Sequence, residues 1–211
     1  MKSDDLLLYG VTDRRGLGGL SLAEAVRQSL DGGVTFVQLR EKHLGREEFA
    51  AEALTLKALC AEYGVPFVIN DDVELAAEVD ADGVHVGQSD MAAEDVRARI
   101  GEGKILGVSA QTVEQAVAAE KCGADYLGVG AVFPTGSKDD AEDVSYDTLR
   151  DICNAVSIPV IAIGGITAAN AAKLSGSGIC GVAVISAIYC ADDIAKAART
   201  MRAAVEEAVK S

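Results

Sequence analysis

The chain of 211 residues has no tryptophan, and aromatic residues make up only 4% of it. No Lys/Arg stripe interleaved with aromatics occurs, and a net charge of −14 repels polyanions, so nucleic acid and anionic membrane surfaces are excluded as partners. A small anionic substrate stays admissible if local cations or a metal offset that field. Nowhere do 18 apolar residues run together, and the apolar run in MKSDDLLLYGV is too short for a signal peptide, so a cytoplasmic protein is expected. The five cysteines (Cys60, Cys122, Cys153, Cys180, Cys190) are odd in number and lack CxxC spacing, which points to buried free thiols in a reducing compartment. Two histidines without ligand pairs argue against a zinc site, and no Ser-His-Asp or Cys-His arrangement follows from spacing.

What is present is an apolar half (49%), enough for one domain that buries roughly 70% of the surface its unfolded chain exposes. Apolar, β-branched runs fall at 6–12, 36–39, 66–69, 83–86, 105–108, 126–132, 159–163 and 181–185. Stretches with helical spacing separate them. In REEFAAEALTLKALCAEYG, Phe49, Ala53, Leu56, Cys60 and Tyr63 share one face, and Gly64 marks the stop. Ser21 with Glu24, and Thr112 with Gln115, have capping-box spacing at helix starts. Continuous rather than alternating apolar strands imply burial on both faces of a parallel sheet. Eight such units without a GxGxxG after the first strand favour an α/β fold of one kind, a single compact (β/α)8 TIM barrel spanning residues 1–211.

In that architecture function sits where strands finish. Strand two ends in Gln38, Arg40, Glu41 and Lys42, with Leu39 and Glu41 pointing opposite to the other three. Strand three ends in Asn70 and Asp71, strand four in Gln88 and Asp90, and strand five in Ser109. Asp71 and Asp90 follow adjacent strands and suit either Mg²⁺, which takes one or two carboxylates, or helix capping by each. His85, within VHV, reads as a packed, hydrogen-bonded residue, and His43 as a solvated neighbour of the site. The glycines of IGGI, a helix expected from about Thr167, and Ser186 in VISAI suggest a phosphate cradle, which TGSK strengthens.

QLREK, INDD, ADGVHVGQSDM, LGVSAQT, GADYLGVGAVFPTGSK, IPVIAIGGIT and GVAVISAI, in this order, resemble the thiamine phosphate synthase family from about Leu6 to Ala198. The resemblance implies condensation of an aminopyrimidine diphosphate with a thiazole phosphate, releasing pyrophosphate. It places Gln38, Leu39, Arg40, Glu41, Lys42, Asn70, Ser109 and Lys138 around the pyrimidine diphosphate. Thr135, Gly136, Ser137, Gly165, Ile185 and Ser186 would receive the thiazole phosphate, and Asp71 and Asp90 would hold Mg²⁺. Lys138, Ser109 and Arg40 carry the expected catalytic roles. The implied partners are small molecules, and homo-oligomerisation is left open. The alternatives are a thiazole tautomerase, which would want a base such as histidine at the mouth, and a noncatalytic phosphate-binding barrel.

Overall fold

The structure, a computed structural model, describes residues 2–135 and 143–210. Eight strands, β1 (Leu8–Val11), β2 (Phe36–Leu39), β3 (Phe67–Asn70), β4 (Gly83–Val86), β5 (Ile105–Ala110), β6 (Tyr126–Val129), β7 (Val160–Ile163) and β8 (Gly181–Val184), pair in parallel. They follow chain order, and β8 closes on β1 to complete a barrel. Around it lie α1 (Leu22–Asp31), α2 (Arg46–Tyr63), α3 (Val73–Glu78), α4 (Ala93–Ile100), α5 (Val113–Lys121), α6 (Tyr146–Ala155), α7 (Ser186–Tyr189) and α8 (Ile194–Val209). Among the described residues no helix is long and apolar enough to cross a membrane.

Strand alternation divides the apolar residues into two layers. Tyr9, Phe36, Val68, Tyr126, Ile161 and Ala183 pack inside the barrel, while Leu8, Val37, Leu39, Phe67 and Ile69 join the larger layer beneath the helices. Local signals do what their chemistry predicts at several ends. Ser21 and Glu24 close a reciprocal capping box on α1, and the Thr112 hydroxyl accepts the Gln115 N–H at the start of α5. Gly64 ends α2 at φ 66, where its missing Cβ removes the steric cost of a left-handed residue. Tyr63, expected on the buried face of α2, is instead exposed and donates its OH to Asp31 (2.7 Å).

The seventh unit departs from expectation. No α-helix starts near Thr167; a turn leads to a short 3-10 segment, Ala171–Leu174. The Asn170 side chain accepts the Thr167 N–H (2.8 Å) and donates to the Gly165 carbonyl (2.9 Å), so a local loop replaces the helical ladder. The eighth unit carries two helices, the short α7 directly after β8 and then α8. The thiols also differ from expectation. All five cysteines are free, yet only Cys60 is fully buried, and Cys190, just past α7, is exposed.

Candidate active site

The strand ends open onto one cavity of about 790 Å³. Arg40 and Lys42, two and four residues beyond Gln38 on the same face of the chain, both line it. The rest of the QLREK segment does not. Gln38 lies deeper and is 4% exposed, its Nε2 donating to the Tyr9 hydroxyl (2.7 Å). Leu39 is fully buried in the layer under the helices. Glu41 accepts from the Arg14 guanidinium and from the main-chain N–H groups of Lys42 and His43, which fixes the loop after β2. Its burial alone would push the carboxyl up, but those donors pull it below the usual carboxylate range.

The capping alternative for the two aspartates falls away. Asp72, not Asp71, caps α3 by accepting the Leu75 N–H (2.8 Å), and Ala92 precedes the first residue of α4. Asp71 is held at φ 64 and lines the cavity, as does Asp90, whose Oδ2 accepts the Gly87 N–H (2.7 Å). A non-glycine residue in the left-handed region is sterically costly and persists where its surroundings hold it. Here the Asp71 N–H donates to the His85 carbonyl (2.8 Å), which pins the end of β3 to β4. No group of three or more potential ligands gathers among the described residues. Two carboxylates are nevertheless the protein share of a typical Mg²⁺ site, with water and phosphate oxygens supplying the rest. The oxygen donor set therefore fits that ion.

Farther around the barrel, Gly164 and Gly165 take φ values of 102 and 62. A Cβ on Gly165 would lie 2.5 Å from the Pro134 carbonyl oxygen, and one on Gly164 would lie 2.5 Å from the Ala131 Cβ. The glycines thus let the β6 loop pack directly on the β7 loop, and Thr135, Gly165, Ile185 and Ser186, which follow β6, β7 and β8, all line the cavity. Gly136, Ser137 and Lys138 lie outside the described residues.

Two further wall residues, Asp13 and Arg15, follow β1. Their place just past the first apolar run is the sequence signal that marks them. His85 also lines the cavity, with both ring nitrogens engaged, Nδ1 by the Tyr126 OH (2.9 Å) and Nε2 by the Ser109 Oγ (3.0 Å).

A family described as thiamine monophosphate synthase matches residues 8–188. The chain belongs to the thiamine monophosphate synthase family. The thiamine-phosphate synthase of Ruminiclostridium cellulolyticum is 51% identical over 202 residues, 95% of this chain and 96% of that one. That of Geobacillus kaustophilus is 53% identical over 191 residues, 88% and 86% of the two chains. The solved thiamine phosphate pyrophosphorylase of Pyrococcus furiosus superposes with a TM-score of 0.90 at 43% identity, covering 98% of each chain. Like these synthases, the chain is a transferase of thiamine biosynthesis, and its activity is that of a thiamine-phosphate synthase.

Proposed function

We propose that this cavity joins 4-amino-2-methyl-5-(diphosphooxymethyl)pyrimidine to 4-methyl-5-(2-phosphoethyl)thiazole, with thiamine phosphate and pyrophosphate as products. One observation carries the reading: a single cavity is lined both by Arg40, Lys42, Asn70, Asp71, Asp90 and Ser109, which follow or end β2 to β5, and by Thr135, Gly165, Ile185 and Ser186, which follow β6 to β8 farther around the barrel. Two anionic groups have room there, one at each set of residues. The C–O bond to the diphosphate breaks to leave a cation stabilised by the electron-rich aminopyrimidine, and the thiazole nitrogen then donates its electron pair to that carbon. No covalent nucleophile is needed. The protein's task is to hold departing negative charge and align the nucleophile.

Arg40 and Lys42 do the first part, with Asn70 and Ser109 donating hydrogen bonds to the same substrate. The resemblance assigns Lys138 to this group as well, and Gln38 acts from below through the hydrogen bonds it makes. Leu39 and Glu41 shape the β2 loop. Asp71 and Asp90 would hold Mg²⁺, which when bound supplies positive charge to the diphosphate. Ser186 at the start of α7, with the main chain at Ile185 and Gly165, receives the thiazole phosphate, as loops after strands seven and eight commonly do. Thr135 and Ser137 add hydroxyls on that side, beside Gly136.

An isomerase of the same fold would want a base at the mouth. His85 is the histidine on the cavity wall, and its ring nitrogens are occupied by Tyr126 and Ser109. The five free thiols suit a reducing cytoplasm, where we place the reaction. Asp71→Asn tests the reading: thiamine phosphate formation should fall by at least about 10²-fold, as for loss of a preorganised electrostatic group. Wild-type turnover in that variant would reject the metal assignment.

A further inference from the structure

A chain of hydrogen bonds crosses the barrel interior beneath the cavity. Gln38 Nε2 donates to the Tyr9 OH (2.7 Å), Tyr9 and Tyr126 share a bond between hydroxyls (2.8 Å), the Tyr126 OH meets His85 Nδ1 (2.9 Å), and His85 Nε2 meets Ser109 Oγ (3.0 Å). Five strands, β2, β1, β6, β4 and β5, contribute one residue each. Tyr9 and Tyr126 are at most 1% exposed, and burial pushes both phenols well above their ordinary values, so both remain hydroxyls. The sequence makes room for the chain at Gly107, where a Cβ would lie 2.2 Å from the Tyr126 ring and 2.5 Å from His85 Nδ1. Any side chain there would occupy the space of the Tyr126–His85 bond.

Proton counting gives the chain a direction. An amide NH₂ can only donate, so Tyr9 accepts from Gln38 and passes its one proton to Tyr126. Tyr126 in turn donates to His85 Nδ1. With that tautomer the imidazole proton sits on Nε2 and goes to Ser109, whose oxygen accepts and whose own proton stays available to an acceptor in the cavity that Ser109 lines. Reversing the Gln38 amide would reverse every bond, and Ser109 would then spend its proton on His85.

We propose that Gln38, Tyr9, Tyr126 and His85 form a positioning relay that fixes the Ser109 hydroxyl as a hydrogen-bond donor toward the pyrimidine diphosphate. The substrate named rests on the proposed function; the direction of the chain does not. Tyr9 and Tyr126 act through Ser109 and touch no reacting atom. A donor already aimed at the departing charge needs no reorientation as that charge develops, which is where preorganisation contributes to rate.

The test has two arms. Imidazole ¹⁵N spectra of the intact protein, which holds only two histidines, should show His85 protonated at Nε2 and bare at Nδ1, and Tyr126→Phe should mix its tautomers. A wild-type His85 protonated at Nδ1 overturns the direction. In the second arm, Tyr126→Phe should lower kcat for thiamine phosphate formation by about tenfold, a hydrogen bond's worth, with KM for the pyrimidine diphosphate within about twofold. The same substitution in a Ser109→Ala background should cost almost nothing more, and His85→Gln, which keeps a donor near Nε2, should retain more activity than His85→Ala. Multiplicative losses from Tyr126→Phe and Ser109→Ala would mean that the tyrosine does not act through the serine, and would overturn the relay. A wild-type protein that forms no thiamine phosphate would instead defeat the proposed function, while the spectra would still decide the chain's direction.

Discussion

Adjacent aspartates in INDD do different work, and the difference is set by one residue of backbone. Asp72 completes the first turn of α3 and also pairs with Arg46 (2.7 Å), whereas Asp71, at φ 64, is turned to the cavity. Asp72→Ala should therefore lower stability by about 1 kcal/mol, read from the thermal midpoint, and leave turnover near wild type. That is the reverse of what is expected for Asp71→Asn. Ser186→Ala should raise KM for the thiazole phosphate by no more than about tenfold, since the main chain shares that contact; complete loss of binding would show the hydroxyl to be the main anchor. Asp13 offers a pH test. Burial alone would raise its carboxyl, but Arg15 holds it with its main-chain N–H (2.8 Å) and side-chain bonds of 2.7–3.1 Å, and Arg40 adds its charge, so it stays below the usual carboxylate range. A depressed folded-state value contributes stability above the unfolded value, about 4, and that contribution is lost as pH falls through the folded one. Asp13→Asn should therefore flatten the acid side of a stability–pH curve.

At the scale of elements, the β7 loop depends on glycine in two ways. Gly165 is at φ 62 and lies against the carbonyls of Phe133 and Pro134. Gly165→Ala should push the β6 loop off its seat and raise KM for the thiazole phosphate by more than about tenfold, with a smaller effect on the pyrimidine diphosphate; equal effects on both would contradict the separate placing of the two substrates. The elements also show what was legible beforehand. All eight expected strands are found because continuous apolar runs leave little alternative, although β1 (Leu8–Val11) and β6 (Tyr126–Val129) are shorter than the runs 6–12 and 126–132, and the capping pairs Ser21–Glu24 and Thr112–Gln115 match because side-chain reach fixes their spacing. The helix expected at Thr167 gives way to a turn and a 3-10 segment, where the Asn170 amide, three residues on, ties the Thr167 N–H to the Gly165 carbonyl. A competition between one side chain and one helical turn leaves no periodic trace. Tyr63 failed for a related reason: a tyrosine at a helix end can turn its hydroxyl to a partner in solvent, here Asp31.

Over the whole molecule, eight short strands bring residues from nearly the full length of the chain to one cavity. The strand-end rule located that wall without knowing any distance, since a parallel barrel sends every carboxyl end the same way. It missed the interior. Nothing in the local sequence around Gln38, Tyr9, Tyr126, His85 or Ser109 says that they meet, because their contact depends on the stagger of five strands. The acidic balance of −14 is compatible with two anionic substrates because Arg15, Arg40 and Lys42 stand at the mouth and the carboxylates Asp71 and Asp90 suit a cation. The most direct measurement mixes the purified protein with the pyrimidine diphosphate, the thiazole phosphate and Mg²⁺, and follows both products. Thiamine phosphate and pyrophosphate should appear in equal amounts, and omission of any one component should stop both; binding of the two substrates without turnover, or pyrophosphate release without thiamine phosphate, would contradict the proposed reaction.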